Sequence, residues 1–107
     1  MTNDPQAAAF VVAWLYRPRP EALAEFERTY GPDGKWAELF ARGEGYLGSE
    51  LYGDGETYFL LDRWRSKADF DGFSRAFGDE YEALSAETER LYREETELGA
   101  FVAVPGC

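Results

Sequence analysis

Large apolar side chains follow one another through "AFVVAWLYR", where Phe10, Trp14 and Tyr16 are interleaved with Val11, Ala13 and Leu15. The period of two predicts a strand, and both of its faces are apolar. "RPRP" ends it, and Pro20 suits the first turn of a helix whose Leu23, Phe26 and Tyr30 fall at helical spacing until "GPDG" stops it. "KWAELFARG" predicts a short second helix with Trp36, Leu39 and Phe40 on one side, closed by Gly43. In "GYLGSELYGDGETYFLLDRW", two strands at about 46–53 and 57–64 are expected to pair across a Gly-Asp-Gly turn.

Ser66 and Asp69 then resemble a capping box, followed by Phe70, Phe73 and Phe77 on one helical face. Gly78 breaks or bends this helix. Asp79, with Glu82 three residues on, is expected to cap a new start, and Tyr81, Leu84, Thr88 and Leu91 carry an apolar stripe to about residue 94. The run "EETEL" reads as the solvated end of that helix, "LGAFVAV" as a short last strand, and "PGC" as tail.

The order strand, helix, strand, strand, helix, strand predicts an α+β, ferredoxin-like βαββαβ fold: a four-stranded antiparallel sheet with helices on one face. No repeat or linker divides the chain, so residues 1–107 form one domain, with an ordered core over about 8–104. Such a monomer leaves one sheet face bare. Because the first strand, and by its composition the last, are apolar on both sides, that face is expected to be buried against a second copy in a homodimer.

Composition narrows the function classes. With 21 acidic and 11 basic residues the formal charge is −10, which repels phosphate backbones and anionic lipid, so neither nucleic acid nor a membrane surface is an expected partner. "AAAFVVAWLY" is too short to span a bilayer and has no basic region before it, so the protein is expected to be soluble and cytoplasmic. The chain has no histidine, which removes the commonest general base and metal ligand; no metal site and no cofactor are expected. The single cysteine, Cys107, reads as a frayed terminal thiol.

Three segments carry a family resemblance. "GYLGSEL" is similar to the second strand, "RWRSKADFDGF" to the third-strand tryptophan, serine cap and helix ring, and "FVVAWLYRPRPEALAEFERTY" to the first strand and helix of the dimeric α/β-barrel superfamily. Within it the chain resembles the antibiotic biosynthesis monooxygenase-like domains, over roughly residues 8–104. The resemblance implies pairing into a dimeric α/β barrel and cofactor-independent oxygenation of a small aromatic, polyketide-like or quinone-like molecule held between sheet and helices. The haem-degrading branch carries an asparagine, a tryptophan and a histidine where this chain has apolar residues near Val12, Phe73 and about Ala83, so haem degradation is set aside. A non-catalytic binding or accessory protein of the same fold is the alternative.

Candidate site residues follow. Asp62 lies two positions before Trp64 and shares its strand face, while Arg63 points to the other. If Asp62 faces the helices it is either a candidate base with a raised pKa or a satisfied polar pin; the alternative is an ion pair with Arg17, Arg65 or another arginine at the sheet's end. Trp64, packing on Phe70 and Phe73, is either a core cap or one wall of an aromatic-binding cavity. Trp14, Tyr16, Phe70, Phe73 and Tyr81 are further candidate ligand contacts, and Arg63 offers a fork of donors to a phenolate or carboxylate.

Overall fold

The computed structural model describes residues 10–104. Residues 8–9 of the expected core, and Cys107 with the "PGC" tail, lie outside this range. Four strands, β1 (Phe10–Pro18), β2 (Tyr46–Gly53), β3 (Tyr58–Trp64) and β4 (Tyr92–Val102), form one antiparallel sheet in the order β2-β3-β1-β4. This is the ferredoxin-like arrangement. Four helices, α1 (Leu23–Tyr30), α2 (Lys35–Phe40), α3 (Lys67–Ala76) and α4 (Gly78–Thr88), join them. Single 3-10 turns at Pro20–Ala22 and Glu89–Leu91 lead into α1 and out of α4. Among the described residues no helix is long and apolar enough to cross a membrane.

Local chemistry explains most of these boundaries. The β2–β3 turn closes on Asp54, whose Oδ1 accepts from the backbone N–H groups of Glu56 and Thr57 at 2.9 and 2.8 Å. These bonds hold its carboxyl below the usual aspartate range. At the start of α3, Ser66 Oγ accepts from Asp69 N–H at 3.1 Å, the N-cap bond expected from sequence. The Asp69 carboxylate instead takes the Arg65 guanidinium bidentately, at 2.8 and 3.1 Å, together with the Ser66 hydroxyl.

Asp79 does not cap α4. Phe77 N–H bonds to the Phe73 carbonyl and Tyr81 N–H to the Phe77 carbonyl, so backbone bonding runs on through a bend at Phe77 and Asp79 lies inside the first turn. The larger correction is at the other end. The helix expected to reach about residue 94 stops at Thr88, and "EETEL" belongs to β4, an 11-residue strand rather than the short "LGAFVAV" segment. Sheet pairing overrides the helical pattern because the Trp14–Pro18 half of β1 needs partners for its backbone groups, and Tyr92–Glu97 supplies them. Being an edge strand open to solvent, β4 tolerates a nearly all-polar run.

The core lies between the inner sheet face and the helices. Phe26, Trp64 and Leu91 are its most deeply buried side chains, and rings pack at 4.5–6.2 Å between centroids throughout the layer. The other sheet face bears half-buried Val11, Leu15, Phe59 and Leu61, with Tyr52 and Phe101 exposed.

Candidate functional site

Strand alternation in β3 turns Tyr58, Leu60, Asp62 and Trp64 toward the helices and Phe59, Leu61 and Arg63 away. Asp62 is therefore a carboxylic acid in the middle of an aromatic layer, only 4% exposed. No arginine reaches it: Arg17 pairs with Glu94, and Arg65 with Asp69 and Glu44, so the expected ion pair does not form. Its hydrogen-bond partner is Ser49, its neighbour across the β2–β3 ladder, which donates to Oδ1 at 2.7 Å. Burial pushes the carboxyl up to about 7, with the Ser49 bond acting in the opposite direction.

Asp62 borders a narrow cavity of about 20 Å³. Trp14 and Tyr16 of β1, Leu60 of β3, Tyr30 of α1, Trp36 and Phe40 of α2, Tyr81 and Ser85 of α4 and Glu95 of β4 complete its wall. Glu95, exposed at the rim, accepts from Tyr16 Oη at 2.8 Å. Tyr30 Oη donates to Thr88 Oγ1 at 3.1 Å, and Thr88 Oγ1 in turn donates to the Leu84 carbonyl at 2.8 Å. Burial pushes the Tyr30 and Tyr81 phenols up to about 12 and raises Tyr16 further, with Tyr30 and Glu95 adding to that rise. These phenols remain protonated near neutrality and can act only as neutral donors or acceptors.

The indole N–H of Trp36 is buried without a hydrogen-bond partner. It lies close enough to Tyr30 Oη to oppose that phenol's upward shift, yet outside hydrogen-bond geometry. Trp64 Nε1–H is buried without a partner as well, but only the Trp36 ring lines the cavity; a buried donor left open in this way is costly. The wall carries two carboxyl groups, Asp62 and Glu95, and no lysine or arginine. Among the described residues no cluster of three His, Cys, Asp or Glu could hold a metal ion.

Of the residues singled out from sequence, Trp14, Tyr16, Asp62 and Tyr81 meet at this cavity. Trp64 does not. It is fully buried among Phe40, Tyr46, Phe70 and Phe73, with ring centroids 5.2–5.8 Å away. Phe70 bridges it to Phe10, and Phe73 packs on Phe40 and Phe77, so this end of the layer is filled. Arg63 lies on the opposite sheet face, 3.7 Å from Glu50. Tyr30 and Trp36, whose rings could from sequence be either ligand contacts or core edge, are at the cavity too, whereas Phe40, Ser49, Ser85 and Glu95 carried no such expectation. Ser49 was within reach of a register count across the hairpin, and Glu95 was hidden by the helical reading of its segment.

A family model described as antibiotic biosynthesis monooxygenase matches residues 9–87. No curated protein matches the chain in sequence. Several solved structures share the fold. A monooxygenase from the ActVA-Orf6 gene of Streptomyces coelicolor, in complex with nanaomycin D, is 17% identical with a TM-score of 0.66, covering 98% of this chain and 95% of its own. SnoaB, a cofactor-independent oxygenase from Streptomyces nogalater, is 21% identical with a TM-score of 0.57, covering 92% and 95%. A dimeric ferredoxin-like protein from an uncultured marine organism is 13% identical with a TM-score of 0.64, covering 94% of each chain. The match over most of its length, together with the shared fold, makes this chain a member of the antibiotic biosynthesis monooxygenase family.

Proposed function

We propose that the protein is a cofactor-independent monooxygenase acting on an uncharged, electron-rich aromatic such as a hydroquinone or anthrone. The observation that carries this reading is the pairing, in one aromatic cavity, of a buried carboxyl poised near neutrality with a buried N–H donor that has no partner. A base with a pKa near the working pH is suited to take a proton from a weakly acidic substrate. The unpartnered donor can hold the oxygen on which negative charge then develops.

In this scheme Asp62 removes a proton from an anthrone-type CH2 group, and the carbanion, delocalised onto its carbonyl oxygen, is held by Trp36 Nε1–H. Dioxygen adds to the carbon and Asp62 returns the proton, giving a hydroperoxide. Loss of water leaves a ketone, so one oxygen atom is inserted and the other departs as water. With Asp62 and Glu95 in the wall and no cation, a substrate carrying its own carboxylate is disfavoured.

The cavity has room for little more than a water molecule, so a ring system enters only if the wall moves. Trp14 and Tyr81 are the half-buried wall residues best placed to yield. That closed state also suits a non-catalytic binding protein, which oxygen consumption separates from an enzyme. The outer sheet face, with Val11, Leu15, Phe59, Leu61, Tyr52 and Phe101, fits burial against a second copy, and the dimeric ferredoxin-like neighbour supports that assembly.

The test is oxygen uptake with a panel of hydroquinones and anthrones. Native protein is expected to consume oxygen above the buffer rate, Asp62→Asn to lose about 10²–10⁴-fold of that rate, and Trp36→Phe about 10²–10³-fold. No uptake with any member of the panel would favour the binding module.

A further inference from the structure

The sequence "YLGSE" contains a device that the ligand cavity does not explain. In a regular strand Tyr46 and Ser49, three positions apart, would face opposite sides of the sheet. Here Tyr46 pairs with Trp64 but Gly48 with Arg63, so Leu47 is an extra residue and β2 bulges. Gly48, at φ 126°, absorbs the distortion. The bulge brings both side chains to the inner face, where Tyr46 Oη and Ser49 Oγ lie 2.5 Å apart and Ser49 Oγ lies 2.7 Å from Asp62 Oδ1.

Counting hydrogens orients this chain. The Ser49 hydroxyl has one proton and gives it to Asp62 Oδ1, so Tyr46 must donate to Ser49 Oγ. When Asp62 carries the proton on Oδ1, every bond in the chain can reverse. Tyr46 stands on the edge strand and is only half-buried, whereas Asp62 is buried in the core.

We propose that Tyr46 and Ser49, neither of which lines the ligand cavity, are a proton relay that connects Asp62 to solvent at the β2 edge. A proton arriving at Tyr46 Oη displaces the phenolic proton to Ser49 Oγ, which passes its own to Asp62 Oδ1; the reverse sequence empties the carboxyl. No oxidation state changes and the hydroxyls end as they began. Ser49 takes up Asp62 Oδ1 and leaves Oδ2 without a bond to it, so the base can be reset while a ligand fills the cavity that Asp62 lines. Tyr46 and Ser49 are thus positioning residues, and the relay rests on Asp62 being the base of the reaction proposed above.

The experiment is carbon NMR of the side-chain carboxyls in the full-length, ligand-free chain, titrated across neutrality, with Asp62→Asn identifying the Asp62 signal. Because it needs no turnover, it succeeds or fails independently of oxygenase activity. Fast proton exchange through the relay predicts one moving Asp62 signal in the native protein. Ser49→Ala and Tyr46→Phe should each split it into separate protonated and ionised signals, and Ser49→Thr, which keeps the hydroxyl, should restore the single signal. One moving signal in both Ser49→Ala and Tyr46→Phe, or two signals already in the native protein, would overturn the relay.

Discussion

Asp62 couples the candidate site to the stability of the fold. Its folded pKa of about 7 lies above the ordinary aspartate value of 3.8, so between these values the folded state holds more protons than the unfolded chain. The contribution of this group is therefore greatest below about pH 4 and is lost as the pH rises to about 7. Relative to the native protein, Asp62→Asn should gain stability across that window, reaching roughly 4 kcal/mol above it. Urea unfolding of both proteins at pH 4.5 and pH 8 measures the difference; a gap that does not widen with pH contradicts the buried, shifted carboxyl. The shared face of Asp62 and Trp64 could be read from strand alternation, but the division of labour between the tryptophans could not. Trp64 is filled in by Phe40, Phe70 and Phe73, and Trp36 lies open to the cavity because of how α2 lies on the sheet, a tertiary fact with no trace in "KWAELF".

Two strands show where local pattern and sheet pairing disagree. In β2 the bulge depends on Gly48: a Cβ there would meet nothing within 4 Å, so the obstacle to substitution is backbone conformation alone. Gly48→Ala should cost about 1–3 kcal/mol in denaturant unfolding and move Ser49 away from Asp62. A loss below a few tenths of a kcal/mol would mean that the bulge is not a constraint. In β4 the run Glu94–Leu98 satisfies a helical reading as well as a strand one, because an edge strand open to solvent imposes no alternation of polarity. Its two register shifts against β1, after Ala13 and after Arg17, blur the period further. The hairpin, the α3 cap and the helix-facing side of β3 were readable because each rests on contacts between near neighbours in sequence.

For the whole molecule, the bare sheet face and the closed cavity carry the consequences. Burial of Leu15, Leu61 and Phe101 against a second copy predicts a particle of twice the 12.1 kDa chain mass in light scattering at micromolar concentration. Phe101→Asp, placing a charge on that sheet face, should shift it toward the monomer; a native protein that is monomeric to begin with contradicts the assembly. The acidic surface should leave the uptake of neutral substrates nearly independent of salt, since no long-range attraction is at work. The account as a whole depends on Asp62 acting as the base in the aromatic cavity. The pH dependence of kcat/KM for oxygen uptake with an uncharged anthrone tests it most directly: the rate should rise tenfold per pH step below a break at about 7 and level off above it, with the break absent in Asp62→Asn. A rate that follows only the substrate's own ionisation, alike in native and Asp62→Asn protein, would contradict it.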